Sequence, residues 1–410
     1  MSLRSILKAD IAGWRRIGGE GLWILAGQIV TVLAALALVR AVTSVLSPSA
    51  YGEVALGMTV ATLVNQMITG CIANGISRYW SIADESGDLR AYIAAGRKML
   101  AQGFTAVAII GLLIVAGLKA LGLESWIGLS IAAIMLSLAS GLNGALNGIQ
   151  TAARQRPVVA LHGAAEAWLK IAMVLLSSAW FGPSSSVVIW SYAASAALVS
   201  LSQITFLQRL LRGRTAAAAQ APELPTDWLR MMWIYSWPFA CWGIFTWAQS
   251  ASDRWALQFF ADSSAVGQYA ALYQLGFAPL TMASGMLISL LTPIMFQRAG
   301  DARDGDRVAQ VFRITTQVAV GMFGLTLVVA LVFGLLNEWI FRLFTAKAAY
   351  RQVAPLMPLM AIAAGLQACH HILGIRVSTL LETRSILMPQ IASALMVMGL
   401  NALGAYLGGV

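Results

Sequence analysis

Residues 314–337 read ITTQVAVGMFGLTLVVALVFGLLN, a run without one charged side chain. About 20 predominantly apolar residues suffice for an α-helix to cross a hydrocarbon core about 30 Å thick. Working outward from this stretch, similar uncharged runs occupy 21–39, 54–77, 99–118, 125–153, 171–208, 231–252, 263–297, 352–375 and 385–410. The region 157–208 holds two spans, because Gly182-Pro183-Ser184-Ser185-Ser186 divides it, and the count becomes eleven. In lipid only helices and closed barrels satisfy their own backbone groups, and these runs are too long for barrel strands. The expected fold is an all-α polytopic membrane protein with eleven transmembrane helices.

Composition narrows the function classes. Hydrophobic residues make up 59% of the 410 and charged ones 11%, against about 25% charged in an average soluble domain. No connector is long enough for a folded water-facing domain of the kind that membrane polymerases and glycosyltransferases usually carry. The net charge of +10 would suggest nucleic acid in a soluble protein. Here, with the N-terminus placed inside, twenty Lys and Arg fall on the cytoplasmic side and six on the other, and Lys170 alone lies deep in a span. That bias follows the positive-inside rule, so the surplus records topology and contact with anionic lipid, with no nucleic-acid partner. Cys71, Cys241 and Cys369 lie far apart, without metal-ligand spacing or a disulfide framework. The N-terminus lacks the pattern of a cleavable signal. Instead Leu3, Ile6, Leu7, Ile11, Trp14 and Ile17 recur at helical spacing, which predicts an interfacial amphipathic helix before the first span.

The longest polar stretch, RGRTAAAAQAPELPTD over 212–227, reads as a cytoplasmic linker with six spans before it and five after. It sets the expected organisation as an N-terminal lobe over 1–211 and a C-terminal lobe over 228–410. Span one leads into Ser49-Ala50-Tyr51-Gly52 and span seven into Ser264-Ala265-Val266-Gly267, an offset of 215 residues. The region 148–182 runs parallel to 374–408 at offset 226. A parallel repeat of two six-helix-type lobes is one design of transporters with a substrate cavity between rigid halves. On this register the second lobe stops before a counterpart of span six, so the twelfth helix is missing and truncation of the chain is the expectation.

Leu38-Val39-Arg40, then Leu46 through Glu53 (LSPSAYGE), then Gly70 and Asn74 through Tyr79 (NGISRY) resemble the opening of polysaccharide (O-antigen type) flippases. Asp253-Arg254 followed by Val266-Gly267-Gln268-Tyr269 resembles the seventh and eighth helices of the same family. These flippases belong to the multidrug/oligosaccharidyl-lipid/polysaccharide exporter superfamily. The resemblance implies a two-lobed transporter of twelve helices that moves an undecaprenyl-diphosphate-linked oligosaccharide to the periplasmic leaflet by alternating access. It further implies a bacterial inner-membrane location, a monomer, membrane lipids and other glycan-assembly proteins as partners, no enzyme activity and no cofactor. Its cavity charges vary among members, so candidate residues come from this sequence alone.

Span five carries the strongest local signal. His162, Glu166, Lys170 and Ser177 fall within about 80° of helical arc, with Glu166 and Lys170 near mid-membrane. A charge there costs roughly 2.5–3.5 kcal/mol on insertion scales and normally faces a wet cavity or a partner. Lys170 suits a diphosphate or acidic sugar, with Glu166 setting its charge; a self-neutralising i,i+4 pair is the plainer reading. In span four Asn143 and Asn147, beside Ser140 and Gln150, offer amides to sugar hydroxyls, while Gly141, Gly144 and Gly148 describe close packing with amides bonding across it. Arg40, Arg78, Arg254 and Arg376 lie near span ends, where phosphate recognition and snorkelling compete. Trp233, Trp237, Trp247 and Trp255 form a stripe that fits sugar stacking or an interfacial belt.

His370-His371 lack the i,i+4 spacing of a helical metal pair, and Asp304-Gly305-Asp306 reads as a solvated loop rather than a sugar-nucleotide motif. No Gly-Lys dipeptide exists to form a Walker A loop. Two other functions stay open: a cation-coupled multidrug exporter of the same superfamily, and a membrane glycan polymerase or glycosyltransferase. The absence of an acid in the first span's core, residues 21–39, speaks against the exporter. The short connectors speak against the polymerase.

Overall fold

Proline, glycine and aspartate place the ends of the long apolar runs. Pro48 opens a helix at its first position, where a missing N–H leaves nothing unsatisfied. Gly122 and Gly182 terminate helices with φ of 71° and 82°, a conformation open to glycine without steric penalty. Asp262 accepts from Ala265 N at 2.8 Å, and Asp304 accepts from Asp306 N at 3.0 Å and Arg307 N at 3.3 Å. Both are N-caps, which gives the Asp304-Gly305-Asp306 segment a helix-starting role.

The computed structural model describes residues 3–217, 227–299, 304–379 and 387–408. Its helices are α1 (Leu3–Val45), α2 (Pro48–Val64), α3 (Gly70–Glu85), α4 (Leu89–Ala120), α5 (Ile127–Ala152), α6 (Arg156–Phe181), α7 (Ser185–Ala217), α8 (Trp228–Phe260), α9 (Ser263–Leu272), α10 (Ala278–Ala299), α11 (Gly305–Phe344), α12 (Met357–Thr379) and α13 (Leu387–Gly408). A π turn over Asn65–Thr69 joins α2 to α3, and another over Tyr273–Phe277 joins α9 to α10. No strand occurs among the described residues. Among the described residues, ten stretches are long and apolar enough to cross a membrane. The run expected over 231–252 lies in α8, outside those ten; it is helical throughout, with Pro238 inside it.

The division expected at Gly182-Pro183-Ser184 separates α6 from α7. The segment expected as an interfacial helix does not form a separate element, since α1 runs unbroken into the first span. The side chains of residues 3–22, on which its amphipathicity depends, lie outside those described. Residues 218–226 of the expected linker lie outside the described residues too.

The chain forms two compact units, Met1–Ala34 with Gly57–Trp247, and Ala35–Leu56 with Ala248–Val410. In the first, glycines let helices close on one another: Gly141 faces Thr69, Gly148 faces Ser77 and Gly111 faces Ile134. Trp80, Tyr92, Met99 and Met232 fill one of its core clusters. Trp228 Nε1 donates to Asp88 Oδ2 at 2.7 Å there, so the indole and the carboxylate satisfy each other.

In the second unit the two Ser-Ala-x-Gly segments meet. A methyl built on Gly52 would collide with the carbonyl oxygen of Ser263, and one built on Gly267 with that of Pro48. Only glycine permits this approach of backbone to backbone. Farther along, Gly365 closes on Thr326. Asn401 Nδ2 donates to Ser252 Oγ at 2.8 Å and Gln249 Nε2 to Ser393 Oγ at 3.2 Å, tying α13 to α8.

Candidate functional site

Helix α6 places Glu166 and Lys170 one turn apart, and the structure adds partners from two neighbouring helices of the first unit. Lys170 Nζ lies 2.7 Å from Glu166 Oε1, with side chains 27% and 17% exposed. Asn143 of α5 donates from Nδ2 to Glu166 Oε2 at 2.5 Å. Asn147, a turn farther along α5, donates to Asn143 Oδ1 at 2.8 Å and accepts from Gln203 Nε2 of α7 at 2.8 Å. The result is one continuous polar chain, Lys170–Glu166–Asn143–Asn147–Gln203, through otherwise apolar helices. Partial burial strengthens the links, because less water competes for these donors and acceptors than at an open surface.

His162 and Ser177, expected on the same face of α6, follow the helix to other partners. His162 Nδ1 donates to Val158 O at 2.8 Å, and its Nε2 lies 3.1 Å from the Ser202 hydroxyl oxygen. Ser177 Oγ meets Ser191 Oγ at 2.6 Å. Both contacts join α6 to α7. His162 therefore stands beside the polar chain without belonging to it.

Asn147 also borders a cleft of about 480 Å³ between α3, α5 and α8, lined by Asn74, Ser77, Arg78, Asn147, Tyr235 and Phe239 among others. Two residues singled out independently, Arg78 and Asn147, thus share one cavity. Among the described residues Arg78 has no hydrogen-bond or carboxylate partner. Gln203, Tyr235 and Phe239 were not singled out by sequence. A lone glutamine in an apolar span marks Gln203 in retrospect, but nothing in the pattern separates Tyr235 from the other aromatics of α8.

The remaining arginines are occupied within the second unit. Arg40 donates from Nη1 to Arg342 O and Thr345 O, both at 2.8 Å, which caps the C-terminal end of α11. Lys347 returns the contact, donating to Leu46 O at 2.7 Å and Val45 O at 3.3 Å past the end of α1. These reciprocal caps predict that Arg40→Ala lowers stability by about 1–2 kcal/mol, read as an earlier thermal transition of the detergent-solubilised protein. Arg40→Lys should fall between Arg40→Ala and wild type. Arg254 pairs with Asp253 at 3.4 Å and lies 4.7 Å over the Tyr273 ring, while Tyr269 donates its hydroxyl proton to Asp253 Oδ2 at 2.6 Å. Arg376 donates to Thr315 Oγ1 at 2.7 Å and Thr316 Oγ1 at 2.5 Å. Eight residues were expected at the site: the structure joins Glu166, Lys170, Asn143 and Asn147, sets Arg78 and His162 beside them, and holds Arg40 and Arg254 in the other unit.

Two of the stripe tryptophans find protein acceptors, Trp233 Nε1 at Gln102 Oε1 (3.0 Å) and Trp247 Nε1 at Thr59 O (2.7 Å), whereas Trp237 is exposed. Cys71, Cys241 and Cys369 are unlinked. Among the described residues no group of three or more His, Cys, Asp or Glu is placed to hold a metal.

Helices of this length and apolarity, with polar groups gathered among them, mark a multi-pass membrane protein. The chain belongs to the polysaccharide biosynthesis protein family, whose sequence profile matches residues 17–298. Its fold is similar to that of an inward-facing multidrug resistance MATE family transporter of the MOP superfamily, at 13% identity and a TM-score of 0.56, covering 92% of this chain and 94% of that one. It is similar also to the MATE transporter VcmN of Vibrio cholerae in its bent form, at 13% identity and a TM-score of 0.52, covering 96% and 92%. No curated protein matches the chain.

Proposed function

We propose that this protein translocates undecaprenyl-diphosphate-linked oligosaccharide across the bacterial inner membrane by alternating access of two lobes, as a monomer with its N-terminus in the cytoplasm. The observation that carries the reading is the polar chain from Lys170 to Gln203 within a member of the polysaccharide biosynthesis family. A cation and a row of amides match a substrate that joins phosphate to sugar hydroxyls. Membrane lipids and other glycan-assembly proteins are the partners this role calls for. The test is translocation of an undecaprenyl-diphosphate-linked sugar in proteoliposomes. Wild-type protein should accelerate it, and Lys170→Ala should slow it about tenfold, the loss of about 1.4 kcal/mol of interaction. Unimpaired translocation by Lys170→Ala would remove Lys170 from the site.

A second reading is supported by the structural neighbours, one a multidrug resistance MATE family transporter and the other a MATE transporter. A cation-coupled exporter would move lipophilic cations such as ethidium when a sodium or proton gradient is imposed. Gradient-driven ethidium transport, without movement of the lipid-linked sugar, would favour it over the flippase.

A further inference from the structure

Asn147 of the polar chain borders a cleft that the chain does not itself fill. The cleft's volume of about 480 Å³ lies inside the range of small-molecule sites, about 300–1,000 Å³. Three kinds of wall face it. Arg78 brings a planar guanidinium that is exposed and free of partners among the described residues, whereas Arg40, Arg254 and Arg376 are all committed to protein acceptors. Tyr235 and Phe239, a turn apart on α8 with centroids 5.4 Å apart, supply an aromatic wall, and Tyr79 braces Tyr235 edge-on at 6.0 Å. Asn74, Ser77 and Asn147 add amide and hydroxyl groups. Asn147 is already oriented by Asn143 and Gln203, so its contribution is pre-organised.

We propose that this cleft is a two-part recognition site for a sugar diphosphate, with Arg78 engaging phosphate oxygens and the Tyr235–Phe239 wall packing against the first sugar ring. The assignment rests on the flippase reading and adds where on the protein the headgroup is read. The two halves of the site do different work. A guanidinium matches two phosphate oxygens at once and repels cations, and among the described residues no carboxylate lines the cleft to attract them. A phosphate alone would leave the aromatic wall unused. A sugar ring presents apolar C–H faces that aromatic rings cover, with hydroxyl groups around its rim for the amides.

The experiment measures binding to full-length protein in nanodiscs of three probes: a prenyl-diphosphate-linked N-acetylglucosamine, the same prenyl diphosphate without sugar, and phosphatidylglycerol. Wild type should bind the first tightest. Arg78→Ala should weaken both diphosphates about tenfold or more, with Arg78→Lys intermediate. Tyr235→Ala should weaken only the sugar-bearing probe, about fivefold to tenfold, and Tyr235→Phe should retain it. Monodisperse elution and an unchanged thermal transition qualify each variant as folded. Wild-type affinities for Arg78→Ala, equal losses on both diphosphates for Tyr235→Ala, or tightest binding of phosphatidylglycerol would each overturn the assignment. Translocation by wild type in proteoliposomes separates the two claims. If wild type moves the sugar-linked lipid but the variants bind as wild type does, only the cleft assignment falls; if wild type neither binds nor moves it, the flippase reading falls as well.

Discussion

Replacing Gly52 by alanine is expected to leave little folded protein. The added methyl has nowhere to go, because the atom it meets is the backbone carbonyl oxygen of Ser263 rather than the movable end of a side chain. Gly267→Ala meets the carbonyl of Pro48 in the same way. Overpacking of a tight contact typically costs about 1–3 kcal/mol, and more where backbone must shift. Each single variant should therefore show a lower thermal transition and a smaller monodisperse yield. The double variant should cost less than the sum, since both methyls push apart the same pair of segments. Gly144→Ala is the control: a methyl there meets nothing within 4 Å, and alanine is the better helix former by about 1 kcal/mol. A Gly52→Ala protein as stable as wild type would mean that these segments do not touch.

The second large effect is expected at the Glu166–Lys170 pair. Glu166→Ala strands Lys170 near mid-membrane, where an unpaired charge costs roughly 2.5–3.5 kcal/mol on insertion scales. It also removes the acceptor for Asn143 Nδ2. Lys170→Ala should cost less, because Glu166 keeps its bond from Asn143. Glu166→Ala combined with Lys170→Ala should recover part of the lost stability, the signature of a coupled pair. Transport decides the role of the pair. If the ion pair only neutralises itself between helices, the double variant should regain translocation along with stability. If Lys170 engages the substrate, stability returns and translocation does not.

Much of the architecture was legible from hydropathy. The backbone of a lipid-embedded segment has no option but to hydrogen-bond to itself, so runs such as 314–337 could only be helices. Gly182-Pro183 was readable as a break for the same local reason, since glycine takes a positive φ there and a proline follows. The Glu166–Lys170 contact was legible as well, because i,i+4 geometry is a property of any helix. The continuity of α1 was less legible: charges scattered among apolar residues suggest a separate surface helix, yet nothing in that stretch breaks the backbone. The site was readable only in part. Asn143 and Asn147 stood out as amides in an apolar span, but sugar contact and helix packing predict the same residue types.

Sequence alone, then, determined the class of fold, most of the long apolar helices and the presence of uncommon polar groups within them, since each follows from local solvation or helical periodicity. It also showed the Ser-Ala-x-Gly segment twice, at 49–52 and 264–267, without saying that the two copies touch. Tertiary structure decided that contact. It also decided that Arg40 is spent on the end of α11 while Arg78, beside Tyr235, has no partner among the described residues, and that Asn143 of α5 reaches Glu166 of α6. The physical reason is common to all three. A side chain's chemistry is set by its own atoms, but its partner is set by which helix packs beside it, and residues 23 to 302 positions apart carry no local signal of that choice.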